Sequence, residues 1–354
     1  MTAAMNARAP SITTPSLDVL MTGGLSIVAM GALLTWSLAF DGSVAFVDHD
    51  WLTLAILLNA THFMASYRLL YVSRAEIIGN PWSAIYVPVA LIALLCFAAV
   101  GESRGWIVQQ LVLGSSIYLA WHYTGQAWGM VSAFSRILGV DYTRKERLCI
   151  QGGTYALLAL HVLFALSGRV PPANWIDQTT YVRGYGFVFQ IVVGLAALSL
   201  VAGAWAFQSA RARGQSVPLR AVLPWLALYF WYPFWYFVPG GFVWVQLSHA
   251  LQYLAFPMRV EANRYTRTGH KTLGERIRHG VLVYFGLALA GAFVLQGPPL
   301  AAHAFGPGWY SSPDTRVLFQ GFVACIAIHH YFIDGAVWKL RNPKVRGELL
   351  EHLR

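Results

Sequence analysis

Charge is what this 354-residue chain has least of: Asp, Glu, Lys and Arg make up 11% of it, against roughly 25% in a soluble domain. So little charge cannot coat a water-facing globule, and no continuous polar stretch is present that would form one. Cysteine is scarce as well. Cys96, Cys149 and Cys325 lie far apart with no CxxC pair, which signals neither a disulfide framework nor a zinc knuckle. No internal repeat is visible. What the chain does have is 57% hydrophobic residues and a mean hydropathy of +0.52, arranged as apolar segments separated by short polar loops. These features predict an all-α, polytopic membrane helical bundle.

The apolar runs fall at 17–40, 51–72, 83–100, 106–134, 153–168, 184–208, 219–238, 240–258, 279–297 and 316–338. Each is near the ~20 residues that a bilayer requires, giving about ten transmembrane helices. The first run lacks a cleavage signature and reads as an uncleaved anchor. Residues 1–16 read as a disordered cytoplasmic tail, 17–338 as one transmembrane domain and 339–354 as a basic cytoplasmic tail. Of the 25 Lys and Arg residues, only Arg104, Arg169, Arg183 and Arg316 fall on one side of these spans, leaving 21 on the other. By the positive-inside rule this bias places both termini in the cytoplasm, in a multi-pass protein of a bacterial inner membrane. The net charge of +10 is thereby topogenic, and nucleic acid is not an expected partner.

Ionisable side chains are costly in hydrocarbon, so each one inside a span is a functional candidate. His62, His122, His249 and the pair His329-His330 lie within spans two, four, eight and ten. All of these spans run from outside to inside. The distances from these histidines to the cytoplasmic basic boundaries place them in a slab roughly 12 Å thick. Each also has a polar neighbour one helical turn away: Asn59 before His62, Gln126 after His122, Gln252 after His249 and Asp334 after His330. Positions three or four apart share a helix face. The pattern is that of metal-binding imidazoles with polar groups to orient them. Asp334 is a candidate both as a further metal ligand and as the acceptor of a ligand histidine's far N–H, and Gln126 and Asp334 are the candidate catalytic residues. A lone histidine of this kind more often glues helices together by hydrogen bonding. Four helices at one depth favour a shared metal, with His329 available to ligate a second ion or to pack outward.

Imidazole suits iron, copper and zinc, and a carboxylate beside several imidazoles leans toward non-haem iron. A site within the membrane is reached most easily by dioxygen and by lipophilic molecules. An oxygenase, hydroxylase or desaturase acting on a lipid or isoprenoid is therefore expected, with a possible electron donor and membrane lipids as partners. Zinc-dependent hydrolysis and haem binding are the alternatives within metal chemistry. A cation or proton transporter lined by histidines, or a haem- or metal-binding subunit of a larger complex, are the alternatives of other classes.

The single histidines on separate spans, closing in the run His-His-x-x-x-Asp-Gly-x-x-Trp-Lys from His329 to Lys339, resemble a group of bacterial multispan membrane proteins. In general form the pattern is also similar to the Brp/Blh-type carotene dioxygenases, membrane iron enzymes whose histidine ligands are scattered over several helices. That resemblance implies a non-haem iron centre. The paired HxxxH and HxxHH boxes of the membrane fatty-acid desaturases and hydroxylases are missing.

Overall fold

The computed structural model describes residues 10–40, 53–167, 177–306, 308, 312–338 and 342–353. Among these the chain is all-α, with twelve helices. In order they are α1 (Pro15–Ala39), α2 (55–71), α3 (Arg74–Gly79), α4 (Trp82–Val100), α5 (Arg104–Ile137) and α6 (Arg144–Leu166). There follow α7 (Gln178–Ala212), α8 (Leu219–Phe237), α9 (Gly241–Thr266), α10 (273–305), α11 (Pro313–Val337) and α12 (Pro343–Leu350).

The helix ends follow from local chemistry. Thr143 and Glu146 form a capping box at the start of α6, and Thr272 and Glu275 form one at the start of α10. Each pair satisfies two backbone donors that the first turn leaves open. Asp177 caps α7 through the Thr180 N–H, and Pro313 sits in the first turn of α11, where its missing N–H costs nothing. Gly240, in the left-handed region with φ 70°, turns the chain from α8 into α9.

Four helices contain a wider π turn: Leu20–Gly24 in α1, Ala55–Ala60 in α2, Trp82–Tyr86 in α4 and Ala292–Gln296 in α10. Such turns free main-chain carbonyls from the regular ladder and are often found at functional sites.

Six helices are long and apolar enough to cross a membrane: α1, α4, α6, α7, α10 as far as Ala302, and α11. They point to a multi-pass integral membrane protein. The other four expected spans also fall on helices, α2, α5, α8 and α9. In three of them polar side chains interrupt the apolar run: α5 carries His122 and α9 His249, each with several amides and hydroxyls, and α8 is rich in Trp, Tyr and Pro.

By internal contacts the chain divides into two units, residues 1–112 with 233–354, and residues 113–232. In the first, α2 packs against α9, α10 and α11, and α4 against α11. Gly291 of α10 meets Ala60 of α2 so closely that an added Cβ would lie 2.7 Å from the Ala60 Cβ. Only glycine permits that approach. Small clusters fill the remaining space, among them Ala60, Phe63, Met64 and Leu295.

In the second unit α6 and α7 form a close antiparallel pair. The Arg213 guanidinium reaches the buried Glu146 carboxylate at 2.6 Å and ties their ends together.

Both expected tails carry ordered structure near the bundle. Ile12 is fully buried, and its N–H and that of Thr13 donate to Asp18, each at 2.9 Å. At the other terminus Leu349 of α12 is fully buried, and Asn263 donates to the carbonyls of Glu348 and Leu349.

Candidate metal centre

Four of the histidines singled out by their spacing come together. His62 on α2, His122 on α5, His249 on α9 and His330 on α11 are all buried, and one ring nitrogen from each lies within 4.8 Å of the others. Their relative exposures are 1%, 7%, 2% and 0%. A tetrahedral ion held at 2.0–2.1 Å by four nitrogens needs them roughly 3.4 Å apart. Small side-chain rotations close that difference.

Within the first unit, three of these rings pack closely on one another. The His62 ring centroid lies 5.0 Å from that of His249 and 4.7 Å from that of His330, both edge to face. Phe63 stacks on His330 at 4.3 Å.

The tautomer of His62 follows from its partner. Its Nδ1 lies 2.6 Å from the Asn59 carbonyl. A carbonyl only accepts, so Nδ1 carries the proton and Nε2 presents a lone pair. That Nε2 is buried and has no hydrogen-bond partner among the described residues. An imidazole with one N–H bonded to a carbonyl and the other nitrogen aimed into a cluster of imidazoles is arranged as a metal ligand.

The π turn in α2 runs from Ala55 to Ala60 and contains Asn59. Asn59 thus orients His62, but through its main chain and not through its carboxamide as expected. Gln252 also differs from expectation. Its Nε2 donates to the Thr22 carbonyl at 3.0 Å, within the π turn of α1, so its observed bond serves helix packing. Gln126 is half-buried on α5, one turn beyond His122.

A second layer lies one turn along the same helices. Ser66, Tyr253 and Asp334 each follow their histidine by four residues. Asp334 Oδ1 accepts from Ser66 Oγ at 2.7 Å and from the Tyr253 hydroxyl at 2.9 Å. The Trp338 indole N–H donates to the Tyr253 oxygen at 2.8 Å. The second carboxylate oxygen of Asp334 faces His330 Nε2 at 3.6 Å, an ion-pair distance longer than a hydrogen bond. Asp334 therefore stands beside the histidine cluster and is not one of its four members. Arg68, one turn before the cytoplasmic end expected for this span, pairs with Glu261 at 2.7 Å and not with Asp334.

The structure does not bring His329 into the cluster. Its Nε2–H donates to the Ser83 carbonyl at 2.7 Å, and its Nδ1 accepts from the Tyr67 hydroxyl at 2.9 Å. Both nitrogens are committed to protein groups. Adjacent helical residues point about 100° apart, so with His330 facing the cluster His329 must face elsewhere, and it joins α11 to α2 and α4. Cys325 packs among apolar side chains of α4, α5 and α11.

Sequence reasoning missed Ser66 and Tyr253. The i+4 relation that marked Asp334 would have found both, but their residue types are too common in helices to stand out. Compared with known proteins, the chain matches no family model, and no curated protein or solved structure is detectably similar to it.

Proposed function

We propose that this protein is an integral membrane metalloenzyme, with a non-haem iron held by His62, His122, His249 and His330, that performs oxygen-dependent chemistry on a lipophilic substrate. The observation that carries this reading is the convergence of four buried imidazoles, with the His62 tautomer fixed so that a lone pair faces the cluster. Four neutral nitrogen donors without a thiolate suit a borderline divalent ion, and the Asp334 carboxylate nearby offsets part of its charge.

A bound iron would supply the redox chemistry by which dioxygen attacks an unsaturated chain. The protein's own residues have other tasks. Phe63 and the bond from the His62 ring to the Asn59 carbonyl hold the rings in place, and the surrounding apolar helices keep water out. The Ser66–Tyr253–Asp334 layer places a carboxylate beside His330. Cleavage of a carbon–carbon double bond, with one oxygen atom entering each of the two carbonyl products, needs no external reductant. Hydroxylation or desaturation would need an electron donor.

In this reading all ten long helices cross the bilayer and both termini are cytoplasmic, in a bacterial inner membrane. A reporter fused after Arg354 and active only outside would reject that topology. Metal analysis of the full-length protein in detergent tests the site. One iron per chain without a Soret band supports the proposal, and zinc in its place redirects it to hydrolysis. A Soret band assigns the histidines to haem. Absence of any metal from protein purified with iron supplied turns the reading to a proton or cation path.

A further inference from the structure

Trp338 follows Asp334 by four residues and lines a cavity of about 50 Å³ in the first unit, together with Leu69, Val260, Val337, Val345 and Glu348 among others. From that cavity polar groups run without a break to the histidines. The Trp338 indole N–H donates to the Tyr253 hydroxyl at 2.8 Å, and that hydroxyl donates to Asp334 Oδ1 at 2.9 Å. The other carboxylate oxygen faces His330 Nε2 at 3.6 Å. The four clustered histidines are at most 7% exposed, so an ion reaches them only where part of the protein opens.

One wall of the cavity is α12, through Lys344, Val345 and Glu348, and α12 is held mainly by polar contacts. Arg264 on α9 donates to Glu348 at 2.7 Å. Arg267 grips Glu351, just past the end of α12, with its Nε 2.8 and 2.7 Å from the two oxygens. Lys344 pairs with Glu76 on α3, and Asn263 adds bonds to the carbonyls of Glu348 and Leu349. Of its eight residues α12 buries Leu349 alone. Exposed ion pairs hold weakly and are screened by salt, and Lys344 and Arg267 are 54% and 45% exposed. An element with so few buried apolar contacts opens more readily than the core it covers.

We propose that α12 is an ionic latch that closes a path into the histidine cluster, on the cytoplasmic side in the topology proposed above. Closed, it shuts the cavity and the Trp338–Tyr253–Asp334 series off from water. Displaced, it leaves them as the way in for a water-borne metal ion. That the passenger is a metal rests on the metal reading above, while the latch itself rests on the ion pairs and the cavity behind them.

The test uses the full-length protein in a neutral detergent, with Val260→Cys as a reporter. Val260 lines the cavity and is 3% exposed. A charged maleimide is applied, and modification of the reporter thiol is followed by peptide mass spectrometry beside that of the native, buried Cys325. At low salt the reporter should label slowly. Lys344→Glu, which sets a second carboxylate against Glu76, should speed labelling about fivefold, the scale of one exposed ion pair. Salt at about 1 M should act in the same direction. Adding Glu76→Lys to Lys344→Glu restores the pair with its charges exchanged and should restore slow labelling. Loss of bound metal to a chelator should quicken in Lys344→Glu by a similar factor, with the stoichiometry unchanged. The latch is overturned if reporter labelling ignores both salt and Lys344→Glu, or rises only together with that of Cys325, the sign of a loosened bundle. Faster labelling with an unchanged rate of metal release overturns the path to the cluster. A protein that carries no metal fails the metal reading instead, and labelling alone then decides the latch.

Discussion

Helices α7 and α11 are both long enough and apolar enough to cross a membrane, yet only 11% of the apolar window of α7 is buried within the protein against 50% for α11. Between Arg183 and Arg211, α7 carries no acidic, basic or histidine side chain. Leu198 and Val201 point outward at 69% and 68% exposure. α11 carries His329, His330 and Asp334, and all three are buried. In water the apolar face of a helix turns inward. Here the reverse holds, because the surrounding hydrocarbon is a poor solvent for polar groups. Apolar length marks the helices that face lipid, and polar positions mark those that form the interior.

The sharpest test of that contrast is His62→Ala. If the cluster holds metal as proposed, removing one of its imidazoles should lower metal affinity by at least about 100-fold, measured by competition with a chelator of known strength. Retention of full metal content would detach the cluster from metal binding altogether. Asp334→Asn keeps the shape of the side chain and removes its charge. It should cost roughly 10–100-fold in affinity with the helical content preserved, and unaltered affinity would leave Asp334 as packing alone.

Packing should divide along the same line. Gly291→Leu forces side-chain atoms into Ala60 and should destabilise the bundle by about 1–3 kcal/mol, read from thermal melts in detergent. Val201→Ala on the outward face of α7 should change stability by less than about 0.5 kcal/mol. Equal effects at the two positions would erase the distinction between the helices.

A further small effect concerns acid. Glu261, beyond the expected span on α9, is buried, which opposes its ionisation. The bonds from Arg68 and His279 outweigh that cost and hold its pKa below the ordinary 4.5. Because the folded value lies below the unfolded one, this contribution is complete above pH 4.5 and is lost as pH falls through the lower, folded value. Arg68 is 40% exposed, so solvent weakens the pair and less than about 1 kcal/mol is at stake. Melting temperature should fall more steeply with acid in the wild type than in Glu261→Gln. Parallel curves would show that another group governs acid stability.

Much of this arrangement is legible in the sequence because the membrane makes polar residues expensive. His62, His122, His249 and His330 stand out against apolar neighbours, and their common distance from the basic loops puts them at one depth. The i+4 rule then places Asp334 beside His330. What is not legible depends on main-chain geometry. The π turn that contains Asn59 gives its carbonyl, not its side chain, to His62, and no hydrophobic period announces it. His329 looks equivalent to His330 until Tyr67 and Ser83 are seen to occupy both its nitrogens. Gln252 sits one turn from His249 on the same helix, but a carbonyl freed in α1 claims its amide.

The four clustered histidines come from positions 62, 122, 249 and 330, and the last of them lies on α11. If the cluster binds metal as proposed, this order imposes a timetable on biogenesis. A ribosome that has made α2, α5 and α9 has supplied three of the four imidazoles, and the set of four is complete only once α11 follows. Full loading would then be a late event, and a chain halted before α11 would lack the fourth imidazole whatever the supply of metal in the cell.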